Sequence, residues 1–135
     1  YQNEFLFYHI NILGSYLRLT FLENPGIAFG IDTSRYHWLI TILTIFAILF
    51  LFKYFIEVLN KNSFETLPLS LILGGAIGNA IDRILVLFPS FNYNGVVDFI
   101  DIGINNYRWY VFNFADAFIT IGLIIYLYQS ISLKK

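Results

Sequence analysis

Phe112-Asn113-Phe114-Ala115-Asp116-Ala117-Phe118-Ile119-Thr120-Ile121-Gly122-Leu123-Ile124-Ile125-Tyr126 is the stretch that decides the fold, for it lies in an apolar run from Trp109 to Ile131 that nevertheless carries an acid. A bilayer is crossed by a helix of about 20 mostly apolar residues, and this run is long enough. A carboxylate inside a span is costly unless it faces protein or water, so Asp116 reads first as part of a functional site. Asn113 lies three residues earlier and on a helix would share its face. With a helix starting near Trp109, Asp116 is expected about seven residues in, roughly 10 Å below the entrance at about 1.5 Å per residue.

Two further stretches pass the same test. Residues 36–56 form a span with His37 and Trp38 at one end and Lys53 and Tyr54 at the other, as interfacial anchors should be. Residues 67–87 form the next, with Pro68 in the first turn, where a missing N–H does no harm. Its middle reads Gly74-Gly75-Ala76-Ile77-Gly78-Asn79, and Gly74 with Gly78 makes a small-residue face for close helix packing. The fold class expected is an all-α membrane protein: three spans, 36–56, 67–87 and 109–131, in one membrane-embedded domain over residues 1–135.

Composition agrees with that class. The 135 residues are 58% hydrophobic and 20% aromatic, with only 13% charged. A net charge of −1 with eight scattered basic residues leaves no footprint for nucleic acid. Cysteine is absent, which excludes disulfides and thiolate chemistry, and His9 and His37 lack the spacing of metal ligands. The chain opens at Tyr1 and contains no Met, so a leading signal or anchor segment is expected to precede it.

Outside the spans the pattern changes. Tyr16 to Glu23 alternates with period two and is broken by Asn24-Pro25-Gly26, which reads as strand then turn. Residues 88–108 form a second non-helical region, with Asn94-Gly95 as a turn signal before an extended Val96 to Ile102. Two spans separate these regions, so both fall on one side of the membrane. The basic residues divide evenly: Lys53, Lys61, Lys134 and Lys135 on one side, Arg18, Arg35, Arg83 and Arg108 on the other. Engagement of Arg83 in a site would tip the balance toward a cytoplasmic C-terminus and an extracytoplasmic polar cluster.

That topology gathers Asn79, Asp82 and Arg83 at the end of the second span, an acid of the 88–108 loop, and Asn113 and Asp116 at the start of the third. Asn79 and Arg83 are four residues apart and share a stripe. Each has a plainer explanation: Asp82 with Arg83 as an interfacial pair, Asn79 and Asn113 as hydrogen bonds between helices, Asp98 as a solvated loop carboxylate. Asp98 and Asp101 compete as partner for Asp116, because three residues apart on an extended strand they face opposite ways. Spacing leaves that choice open. Intramembrane Asp and Asn also mark proton or cation pathways, so a small transporter or channel subunit is the rival class; against it, Ile119 to Ile131 carries no acid or base.

Four ordered blocks resemble the signatures of the lipoprotein signal peptidases, or signal peptidase II family: Glu23-Asn24-Pro25-Gly26-Ile27-Ala28-Phe29-Gly30, Gly74 to Arg83, Val96-Val97-Asp98-Phe99, and Phe112-Asn113-Phe114-Ala115-Asp116. The resemblance implies an aspartic endopeptidase that removes the signal peptide of a prolipoprotein, cutting before its diacylglyceryl-modified cysteine. It places the catalytic pair on Asp98 and Asp116 and substrate contacts on Asn24, Asn79, Arg83 and Asn113. It also implies no cofactor or metal, a monomer among membrane lipids, a site near the extracytoplasmic face of the bacterial cytoplasmic membrane, a small extracytoplasmic sheet and an interfacial segment near residues 29–36. Two departures stand out. The family's usual first span, with an Asp and a Lys near its outer end, has no counterpart here, and the link from Arg83 to Gly95 is longer by something like Phe88-Pro89-Ser90-Phe91.

Overall fold

A computed structural model of the chain describes residues 9–25, 34–61 and 63–132. Strands β1 (His9–Leu13) and β2 (Leu17–Asn24) form a hairpin, a 3-10 turn covers Ser34–Tyr36, and helices α1 (His37–Asn60) and α2 (Thr66–Val86) follow. A second 3-10 turn (Pro89–Phe91) leads to β3 (Val96–Ile104), β4 (Tyr107–Arg108) and α3 (Phe114–Ser132). The three helices of 24, 21 and 19 residues are each long and apolar enough to cross a membrane. Gly26 to Gly30 of the first signature block, most of the expected 29–36 segment and the Lys134-Lys135 end lie outside the described residues.

Helix α2 packs against both α1 and α3. The closest approach is to α3: a Cβ added at Gly75 would stand 2.4 Å from the Ala115 carbonyl oxygen, and one at Gly122 would stand 2.7 Å from that of Pro68. Close helix contact through small residues is as expected, but the expected pair is corrected. Gly75 and Gly78 face α3, whereas Gly74 has open space beside it. On α1 the chain stays helical through Asn60, so Lys53 and Tyr54 lie within the helix and not at its end. The Tyr54 hydroxyl donates to Glu65 Oε2 at 2.9 Å, joining α1 to the turn before α2.

The third span is shorter than its apolar run suggests. Trp109 to Asn113 is not helical: the Trp109 N–H donates to the Ile102 carbonyl at 2.8 Å, and that of Phe112 to the Ile100 carbonyl at 3.1 Å. These residues extend the sheet, whose antiparallel order is β1-β2-β3-β4. An apolar run suits a covered strand as well as a helix, and backbone partners from β3 settle the choice. Asp116 therefore sits in the first turn of α3, which corrects its expected depth. The pairing of β2 with β3 joins the two non-helical regions on one side of the helices, as the two intervening spans require. Strand β1 lies within residues 1–35, the region ahead of the first span that is expected to be strand and loop.

Candidate active site

The start of α3 builds one half of the site. Asn113 precedes the helix; its Oδ1 accepts the Asp116 N–H at 3.0 Å, while Asp116 Oδ2 accepts the Asn113 N–H at 3.2 Å. This is a reciprocal capping box, with Asn and Asp in the places Ser/Thr and Glu usually take, and it satisfies two N–H groups that the helix cannot. The other Asp116 oxygen, Oδ1, accepts Asn79 Nδ2 of α2 at 2.8 Å.

Strand β3 supplies the second carboxylate. Asp98 is 2% exposed; Oδ1 accepts Asn113 Nδ2 at 2.8 Å and Oδ2 accepts Asn24 Nδ2 at 3.1 Å. Asn113 Nδ2 also donates to Asn79 Oδ1 at 3.0 Å. Asp98 and Asp116 are therefore joined through Asn113 directly and through Asn113 and Asn79 in series. Asn24 reaches Asp98 because β2 and β3 close tightly just before it: a Cβ on Gly95 would stand 2.2 Å from the Asn24 carbonyl oxygen, so a side chain there would force the strand ends apart.

Asp101 is occupied elsewhere. Its Oδ1 accepts Arg108 Nε at 2.6 Å and its Oδ2 accepts the Thr20 hydroxyl at 3.4 Å, while Arg108 also donates to the Asp101 and Ser15 carbonyls. Asp98 and Asp101 are expected to face opposite ways on a regular strand, and the strand is not regular here. Between them the N–H groups of Phe99 and Ile100 both donate to the Phe112 carbonyl, a local irregularity in the extended strand. Asp101 is held by its ion pair with Arg108, whereas Asp98 is held by Asn24 and Asn113. Asp82 Oδ2 accepts the Val97 N–H at 3.0 Å, a contact that residue spacing alone did not predict.

Burial pushes the Asp98 carboxyl up to about 6 from its ordinary value of 3.8. The charge of Asp116 adds to the rise; the Asn24 and Asn113 donors and the Arg83 guanidinium oppose it. Such a carboxyl exchanges its proton near neutrality, as acid–base work requires. Arg83 is half-buried and lines, with Asn24, Asn79, Asp98 and Asp116, a cleft of about 930 Å³. Its remaining walls are largely apolar, including Ala76 of α2 and Ile119 and Ile121 of α3, and Thr44 of α1 also lines it. Five of the six expected site residues thus line one cleft, and the sixth, Asn113, is buried beside it at the centre of the bonding. Among the described residues no three His, Asp or Glu side chains group as metal ligands.

Fold and site together define a multi-pass membrane protein with a linked pair of aspartates in an apolar cleft lined by helices and by a small antiparallel sheet. The family described as signal peptidase (SPase) II matches the chain over residues 1–132. A lipoprotein signal peptidase of Blochmanniella pennsylvanica is 39% identical over 106 residues, which cover 76% of this chain and 59% of that protein. Another, from Halothermothrix orenii, is 41% identical over 123 residues, covering 89% of this chain and 76% of that protein. A solved bacterial membrane enzyme is similar with a TM-score of 0.70 and 34% identity, covering 95% of this chain and 75% of that one. The chain belongs to the signal peptidase II family. It spans between 59% and 76% of the length of these relatives.

Proposed function

We propose that the protein is an aspartic endopeptidase that removes the signal peptide of bacterial prolipoproteins, cutting before the diacylglyceryl-modified cysteine, with Asp98 and Asp116 as the catalytic pair. The observation that carries this is the linkage of the buried Asp98 and half-buried Asp116 carboxylates through Asn113 and Asn79 in the lining of the apolar cleft. Family membership supports the substrate class. The cleft's walls suit the lipid chains and apolar signal segment, and the site acts at the extracytoplasmic face of the cytoplasmic membrane in a monomer whose residues 1–135 work as one peptidase domain.

Two nearby carboxylates disfavour double ionisation and share a proton at working pH. The ionised member takes a proton from a water as its oxygen attacks the scissile carbonyl carbon. The protonated member gives its proton to the carbonyl oxygen, leaving a neutral tetrahedral diol. As the C–N bond breaks, the proton taken from water passes to the leaving amine, and a diol hydroxyl returns its proton to the other carboxylate. The products are a signal peptide with a new carboxyl terminus and a lipid-modified cysteine with a free amine. Asn24, Asn79 and Asn113 hold the pair and offer substrate contacts, and Arg83, which stays charged, faces the polar end of the substrate.

The test is cleavage of a lipidated prolipoprotein by Asp98→Asn and Asp116→Asn variants. Both are expected to lose turnover while retaining the wild-type helical signal, with Asp101→Asn far milder. Near wild-type turnover in either of the first two would reject the pair.

A further inference from the structure

Asp82 is an acid on α2 that the proposed chemistry leaves unused. It stands beside Arg83 and three residues after Asn79 on α2. Its carboxylate accepts the Val97 N–H, and the Val97 carbonyl accepts Asn113 Nδ2 at 3.4 Å. Both backbone polar groups of the residue before Asp98 are therefore held by side chains, one from α2 and one from the cap of α3. Farther along β3 the backbone partners come from the 109–112 segment, where Phe99 and Ile100 donate to Phe112 and Ile102 accepts from Trp109. At Val97 that segment has already turned into α3, and the acceptor is Asp82.

We infer that Asp82 is a positioning residue: it takes the place of a neighbouring strand at Val97 and thereby fixes where Asp98 stands relative to Asp116. The inference rests on the catalytic role proposed for Asp98. Its geometry is independent of that role. The N–H of half-buried Val97 needs an acceptor where no further strand supplies one, and Asp82 Oδ2 at 3.0 Å is that acceptor. Binding of the substrate's apolar segment is left to the cleft walls, so the consequence of losing this bond falls on the chemical step.

Asp82→Ala and Asp82→Asn are to be compared by steady-state cleavage of a lipidated prolipoprotein and by residue-resolved hydrogen exchange at the Val97 amide. In Asp82→Ala, kcat is expected to fall about 10- to 100-fold, in keeping with the cost of a misplacement of about 1 Å. KM is expected to change by less than about twofold and the Val97 amide to exchange faster. Asp82→Asn keeps an acceptor oxygen, so Val97 should stay protected and kcat should remain within about threefold of wild type. Wild-type kcat in Asp82→Ala overturns the inference, and so does an equal loss in both variants while Val97 stays protected in Asp82→Asn. Full turnover in Asp98→Asn would defeat the catalytic assignment instead, a result separable from the Val97 exchange measurement.

Discussion

Replacing Asn113 by Ala removes two functions that one side chain combines. Its carbonyl oxygen caps α3 through the Asp116 N–H, and loss of such a cap costs about 1 kcal/mol. Its amide donates to the buried Asp98 carboxylate at 2.8 Å, and a hydrogen bond to a charged group is worth about 1.5–3 kcal/mol. Asn113→Ala is therefore expected to lose about 2–4 kcal/mol of stability at neutral pH. The donor favours the ionised form of Asp98, so its removal raises a carboxyl already pushed by burial to about 6. Asp116 and Arg83, the other charges that act on it, remain. The alkaline limb of the pH–rate profile reports loss of the pair's last proton, and favouring the protonated form of Asp98 should move that limb upward by about one to two pH units at 1.36 kcal/mol each. Asn113→Ser separates the parts: Ser restores the cap but is too short to reach Asp98, so stability recovers by about 1 kcal/mol while the shifted limb persists. The measurements are thermal melting in detergent and initial cleavage rates across pH. An unmoved alkaline limb in both variants would refute the claim that Asn113 governs the proton on Asp98.

Neighbouring glycines give a sharp contrast on α2. Gly75→Ala drives a methyl into the Ala115 carbonyl and displaces the turn that carries Asp116, at a cost of about 1–3 kcal/mol and with loss of cleavage; Gly74→Ala meets open space and should stabilise by about 0.5–1 kcal/mol with cleavage retained. Equal effects in the two would reject the observed helix face. Asp98 also sets a pH dependence of stability. Its carboxyl lies above its unfolded value, so its contribution is fully present below 3.8 and is lost as pH rises through about 6. Asp98→Asn should remove that decline and melt higher than wild type at pH 7, and parallel melting profiles between pH 4 and 7 would contradict this.

The spans were legible because a bilayer imposes a length and polarity that few soluble elements share, and an acid within an apolar run marked Asp116 as a candidate site residue, although it sits less deep than the run suggests. Helix spacing also brought Asn79, Arg83 and Asn113 to one end of the bundle. Spacing could not choose between Asp98 and Asp101, since the deciding fact is a contact with Arg108 across the β3–β4 hairpin. The role of Asp82 was hidden for a similar reason: its partner is a backbone N–H, which carries no mark in a sequence. Gly74 and Gly75 were likewise indistinguishable until α3 was placed against one of them.

The misjudged start of α3 has a deeper cause. Trp109 to Phe112 is as apolar as the helix that follows, so hydropathy sees one continuous run across two kinds of backbone. What divides them is Asn113, a residue type that favours helix starts because its side chain substitutes for the missing intrahelical acceptor. The same residue, by capping the helix, brings Asp116 into the first turn and frees its own amide for Asp98. A helix beginning at Trp109 would bury the Asn113 N–H and Asp116 N–H in its own ladder and dissolve the capping box that joins these two residues. It would also draw Phe112 away from its bridge to Ile100 on the strand that carries Asp98. The acidic pair is therefore assembled by the break between strand and helix, and the boundary that hydropathy missed is the one on which the site depends.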